Sequence, residues 1–166
     1  MSTDAIMQLK ADHKELRRLF RDFTRAGDRA VKRKADLINR ILSLLTVHTF
    51  IENEVMYPQV RALLPDLEDE VLESYEEHHV ADLLSMELAG MPATAEHFDA
   101  KATVLIESVS HHIEEEEKDW FPKVRAGLSR RQLQEIGGLL EEARRKAPTK
   151  PSQPSALKKT IDAVIA

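Results

Sequence analysis

One pattern occurs twice in this chain. His48, Glu52, Tyr57 and Pro58 recur at the same spacing as His112, Glu116, Phe121 and Pro122: a glutamate four residues after the histidine, an aromatic at nine and a proline at ten. Each copy is preceded by an acid–histidine pair, Asp12-His13 and Glu77-His78. His13 lies 35 residues before His48, and His78 lies 34 before His112. The spacing reads as a helical hairpin used twice, each copy offering a histidine on its first helix and His-x-x-x-Glu on its second.

The helical spacing places these groups inward. Residues i and i+4 lie one turn apart on one side of a helix, so His48 and Glu52 can reach one point, as can His112 and Glu116. Their neighbours indicate which side that is. Ile6, Leu9, His13, Leu16, Phe20 and Phe23 step by three and four, and so do Ile38, Ile41, Leu45, His48, Glu52 and Val55. Phe98, Ala102, Leu105, Val109, His112 and Glu116 do the same. Each polar member therefore falls where a core residue belongs. An ionised carboxylate buried without a partner costs several kcal/mol or more. Two divalent cations would satisfy the whole set, with imidazoles binding terminally and each glutamate able to bridge.

The breakers divide the chain into helices. Ser2, Thr3 and Asp4 offer an N-cap for a first helix that ends at Gly27. A second runs from about Arg29 to Leu64, stopped by Pro65, with Pro58 expected to kink it or start a new turn. A third spans Leu67 to Ala89 and closes at Gly90. Thr94 is the expected cap of a fourth that meets Pro122, and a short fifth covers Arg130 to Lys146. The reading is an all-α, up-down-up-down four-helix bundle over residues 1–147 with a short extra C-terminal helix. Pro148, Pro151 and Pro154 mark residues 148–166 as a linker and tail, with a weak amphipathic helix from Ala156 to Ala166.

Composition excludes several alternatives. The 166 residues suit one domain, and with only five glycines they favour helices. Without cysteine there is no disulfide, thiolate site or cysteine nucleophile, which fits a cytoplasmic protein. A net charge of −5 and the lack of a basic stripe argue against nucleic acid. No apolar run reaches the ~20 residues of a membrane span, and the N-terminus has no signal-peptide pattern. Imidazole and carboxylate donors suit Fe, Mn or Zn over Cu(I) or an iron–sulfur cluster. Calcium and magnesium prefer all-oxygen shells. A bundle core is an established place for such sites.

At Asp12-His13, His48 to Glu52, Glu77-His78 and His112 to Glu116, the sequence resembles the hemerythrin-like, HHE cation-binding family, and most of all its actinobacterial members. The resemblance covers roughly Ile6 to Arg125. It implies a non-haem, oxo- or hydroxo-bridged pair of iron ions on His13, His48, Glu52, His78, His112 and Glu116, with both carboxylates bridging. It also implies a small ligand: O2, H2O2 or NO. Oxygen-carrying hemerythrins have His-x-x-x-His on the third helix, whereas here Asp82 follows His78 and Leu83 follows His79 at that spacing. The departure counts against simple oxygen carriage and leaves Asp82, His79, His111 or water to complete the coordination.

For the third helix, spacing favours His78 over His79, although Leu72, Tyr75, Leu83 and Met86 give His79 the stronger apolar flank. His97 reads as a surface residue. His111 is either a hydrogen-bonding neighbour of the site or exposed. Glu114, Glu115 and Glu117 read as a solvated face, Trp120 as packing, and Tyr57 and Phe121 as core, with the Tyr57 hydroxyl a lesser candidate for reaching the site. The expected function is a di-iron protein that reacts with peroxide or oxygen, catalase-like turnover being one form of that reaction. The alternative is an O2-, NO- or iron-binding sensor or store without turnover. A ferritin-like bundle fits less well, because its Glu-x-x-His pair occurs once, at Glu76 and His79. The chain is expected to be a monomer or weak homo-oligomer.

Overall fold

The structure is a computed structural model that describes residues 3–151. Within them, α1 (Ala5–Arg25), α2 (Val31–Ile51), α4 (Glu68–Ala89) and α5 (Phe98–Glu115) form the up-down-up-down bundle. Helices α3 (Tyr57–Leu63) and α6 (Phe121–Gly127) prolong α2 and α5, and α7 (Arg130–Lys146) packs on α1 and α2. Among the described residues none is a β-strand, and no helix is long and apolar enough to cross a membrane.

Local chemistry sets the boundaries. Asp4 caps α1, accepting from the Met7 amide at 2.9 Å. Ser129 and Gln132 form a reciprocal capping box that starts α7. Thr94 does not cap α5: that helix begins at Phe98, with His97 at the cap position and no side-chain bond. The expected tail helix from Ala156 lies outside the described residues.

Each proline of the repeat is preceded by a π-helical segment, Glu52–Met56 before Pro58 and Glu116–Trp120 before Pro122. A proline inside an α-helix lacks the amide for the i−4 carbonyl and collides with it. Here the ladder widens by one residue, so the Tyr57 amide reaches the Glu52 carbonyl and the Phe121 amide reaches the Glu116 carbonyl. The widening corrects the expected core register. Val55, which an unbroken α-helix would have buried, is only partly buried, and Met56 and Tyr57 are fully buried instead.

The apolar core lies in two parts with a polar belt between them. One part joins Ile6 and Leu9 to Tyr57, Val60, Trp120, Phe121, Leu133 and Leu140. The other joins Leu16 and Phe20 to Ile38, Ile41, Leu45, Phe98, Leu105 and Val109. Asp12, His13, His48, Glu52, His78, His112 and Glu116 are buried polar groups that belong to neither part.

Candidate metal centre

The six residues singled out by the repeat converge in this belt. His13 and Glu52 are fully buried, and His48, His78, His112 and Glu116 are all nearly so. His13, His48, Glu52 and Glu116 bring one donor atom each into a group whose members lie within 4.8 Å of one another. Glu52, His78 and His112 form a second such group, so Glu52 belongs to both.

The donor atoms fit cations on geometry. His13 Nε2 stands 3.2 Å from Glu116 Oε2, and His48 Nε2 stands 3.1 Å from Glu52 Oε1. All four atoms are inaccessible to solvent and none makes a hydrogen bond. Such close buried atoms, unaligned with each other, are arranged around a common point. A carboxylate oxygen or imidazole nitrogen buried without a partner loses about 1–3 kcal/mol, which a divalent cation at that point would recover.

Behind the rings the arrangement is equally ordered. Each imidazole uses Nδ1 on a side-chain oxygen: His48 on Asp12 at 3.0 Å, His112 on Glu77 at 3.3 Å, His13 on Glu117 at 2.9 Å and His78 on Asn53 at 2.8 Å. The pattern follows the repeat. The acid before each first histidine holds the second histidine of its own copy, and the residue after each glutamate holds the first histidine of the other copy. Nδ1–H donation leaves Nε2 facing inward, where a cation would take the place of its proton.

The second donor group contains a phenol. Tyr57 Oη lies 2.9 Å from Glu116 Oε1, 3.0 Å from Glu52 Oε2, 3.0 Å from His78 Nε2 and 3.4 Å from His112 Nε2. In an α-helix residue i+5 points about 140° away from residue i; the π segment returns Tyr57 to the side of Glu52. The equivalent Phe121 stacks on His13, with ring centroids 5.6 Å apart.

The charges are strongly coupled. Burial lowers the basicity of His48, but Glu52 and Asp12 outweigh it and hold the ring protonated up to about 10. Burial and Glu52 raise Glu116, but His112 and His13 outweigh them and bring it down to about 2. His112 is pushed well up because Glu116, Glu52 and Glu77 overcome its burial, whereas burial dominates at His78 and lowers it. Tyr57 is raised well above its ordinary value by burial, then by Glu116 and Glu52.

Two cavities adjoin the centre. One of about 250 Å³ has Glu70, Glu73, Glu77, Glu115 and Asp119 on its walls and touches His112 and Glu116. The other, about 10 Å³, lies among Leu45, Ala81, Val109 and Ile113 beside His48, His78 and His112. It has room for about one water-sized molecule.

Of the two neighbours on α4, His78 enters the belt. His79 is half-buried on a flank where Leu72 and Leu83 are exposed and Tyr75 and Met86 only partly buried, so its apolar neighbours do not carry it into the belt. His97 is exposed, and His111 is exposed beside Glu115. Asp82, raised to about 6 by burial, belongs to neither donor group. Glu114 and Glu115 are solvated, but Glu117 is not: it joins His13 to Arg17, and the run of four glutamates gave no sign of this. Asn53 and Arg144 were also missed, since neither belongs to a periodic pattern.

A family model described as the hemerythrin HHE cation binding domain matches residues 4–124. The chain belongs to that family. Within the HHE family fold, a solved structure described as an HHE cation-binding domain-containing protein, an Rv2633c homologue from Mycobacterium kansasii, superposes with a TM-score of 0.70. The match covers 87% of this chain and 89% of that one at 21% identity, a likeness of fold. A curated relative described as a DNA nickase, from Nostoc sp. (strain PCC 7120), is 26% identical over 127 residues. The match takes in 76% of this HHE chain but 35% of that relative's length.

Proposed function

We propose that His13, His48, His78, His112, Glu52 and Glu116 would hold two iron ions in the belt, and that the loaded protein reacts with peroxide or dioxygen. The observation that carries this reading is the set of four buried, unbonded atoms on His13, His48, Glu52 and Glu116. An iron pair supplies, when bound, the change of oxidation state that such small oxidants require.

The chain's own residues do the rest. Glu52 and Glu116 each carry two oxygens into the belt, one toward each histidine pair. The four Nδ1 bonds fix the tautomers and hold the rings in orientation. The small, mostly apolar cavity beside His48, His78 and His112 has room for a molecule of a few atoms next to the centre. Tyr57 places an O–H where it can give or hold a hydrogen bond beside His78 and His112.

DNA nicking remains the description of a longer relative. The larger opening toward this centre is walled by five carboxylates, which repel a phosphodiester backbone.

Metal analysis with an optical spectrum tests the cofactor: two irons per chain are expected. Oxygen evolution from peroxide by the iron-loaded protein then tests turnover. A rate no greater than that of free iron would leave binding or sensing as the activity.

A further inference from the structure

The two halves of the centre are built alike from the repeat but are not backed alike. Asp12 and Glu77 are equivalent in position, Asp12 lying 3.0 Å from His48 Nδ1 and Glu77 lying 3.3 Å from His112 Nδ1. Asp12 also accepts from Arg144, Nη2 to Oδ2 at 2.8 Å, on the same oxygen that faces His48 at 3.0 Å. No lysine or arginine is paired with Glu77 among the described residues. Arg144 comes from α7, outside the duplicated hairpins, so the repeat provides no counterpart. A continuous chain of contacts runs Arg144, Asp12, His48 and then to the unbonded Nε2 in the belt.

We propose that Arg144 is a positioning residue which, through Asp12, sets how strongly the His48 imidazole donates to a cation in the belt. The inference rests on the iron-centre reading above. A carboxylate accepting from Nδ1–H draws that proton and makes Nε2 a stronger donor. A guanidinium on the same carboxylate oxygen withdraws charge from it and weakens the pull. Arg144 thus moderates His48, whereas no Lys or Arg among the described residues moderates Glu77 behind His112.

The test is the reduction potential of the iron-loaded full chain and three variants. Arg144→Gln removes the positive charge and frees Asp12 to polarise His48. Both effects favour the ferric state, so the potential falls. Asp12→Asn removes the polarising charge, so the potential rises. Arg144→Lys restores a cation and returns the potential toward that of the parent chain. A role confined to anchoring α7 would not give opposite signs for Arg144→Gln and Asp12→Asn. The proposal is overturned if the two potentials move together, if Arg144→Gln leaves the potential unmoved, or if Arg144→Gln alone fails to take up iron. A parent chain that binds no iron would instead sink the iron-centre reading, so the two failures are distinguishable.

Discussion

Tyr57 Oη lies 2.9 Å from Glu116 Oε1, a contact that crosses the bundle from the end of one hairpin to the end of the other. The phenol is fully buried and is kept neutral by its burial and by the two glutamates it faces. In chelator-treated protein it is the O–H donor to that carboxylate pair. Tyr57→Phe leaves carboxylate oxygens without it, and the expected loss of stability is about 1–3 kcal/mol. Denaturant unfolding of the chelated variant measures it. A variant as stable as the parent would show that the phenol does not satisfy the glutamates.

The choice between neighbouring histidines on α4 is open to direct count. His78→Ala removes a donor from the second group and is expected to lower iron content toward one per chain, while His79→Ala keeps the parent value. Native mass spectrometry reads the stoichiometry. Loss of iron from His79→Ala with retention by His78→Ala would reverse the assignment.

Stability should depend on pH differently in chelated and loaded protein above neutrality. His48 is raised from 6.5 to about 10, so its contribution to the chelated fold is complete below 6.5 and is lost as pH climbs through about 10. Glu116 is lowered from 4.5 to about 2, so its contribution is complete above 4.5 and is lost as pH falls toward about 2. In loaded protein, protons compete with the cations for the same atoms, so acidification releases metal and lowers stability. Thermal melts from pH 6 to 10 should fall for the chelated chain and hold for the loaded one. Parallel curves would mean that the cations do not occupy the protonated positions.

Gly137 governs how closely α7 approaches α1. A Cβ there would stand 2.0 Å from the Thr3 carbonyl oxygen and 3.0 Å from Gln8 Nε2, which itself donates to the Gly137 carbonyl. Gly137→Ala should cost about 1–3 kcal/mol through forced displacement. It should also loosen the Arg144–Asp12 contact, so its iron-loaded potential should move in the direction of Arg144→Gln. A stable Gly137→Ala protein with the parent potential would show that the helix shifts without consequence.

Three imidazoles and the two glutamates were legible because the apolar periodicity around His13, His48 and His112 is strict; His78 was legible only from the repeat spacing, since the apolar flank favoured His79. The two prolines announced a break but not its kind. A kink and a π segment begin from the same missing amide, and periodicity alone cannot separate them, so Val55 was expected inside and Tyr57 had no stated route to the centre. Glu117 was hidden among four consecutive glutamates, where spacing cannot tell which one turns inward. Arg144 was hidden for a different reason: its partner Asp12 lies 132 residues away, and a contact of that separation leaves no local trace.

The widened turns at Glu52–Met56 and Glu116–Trp120 constrain length more than content. After their shared glutamate, the two segments agree at no position: Asn53 answers Glu117, Glu54 answers Lys118, Val55 answers Asp119 and Met56 answers Trp120. Side chains there can drift between copies, but a single deleted residue would tighten the ladder and swing Tyr57 or Phe121 out of the interior. Backbone register changes only in whole residues, so the spacing between each carboxylate and its aromatic is inherited as a unit and cannot be graded by small substitutions.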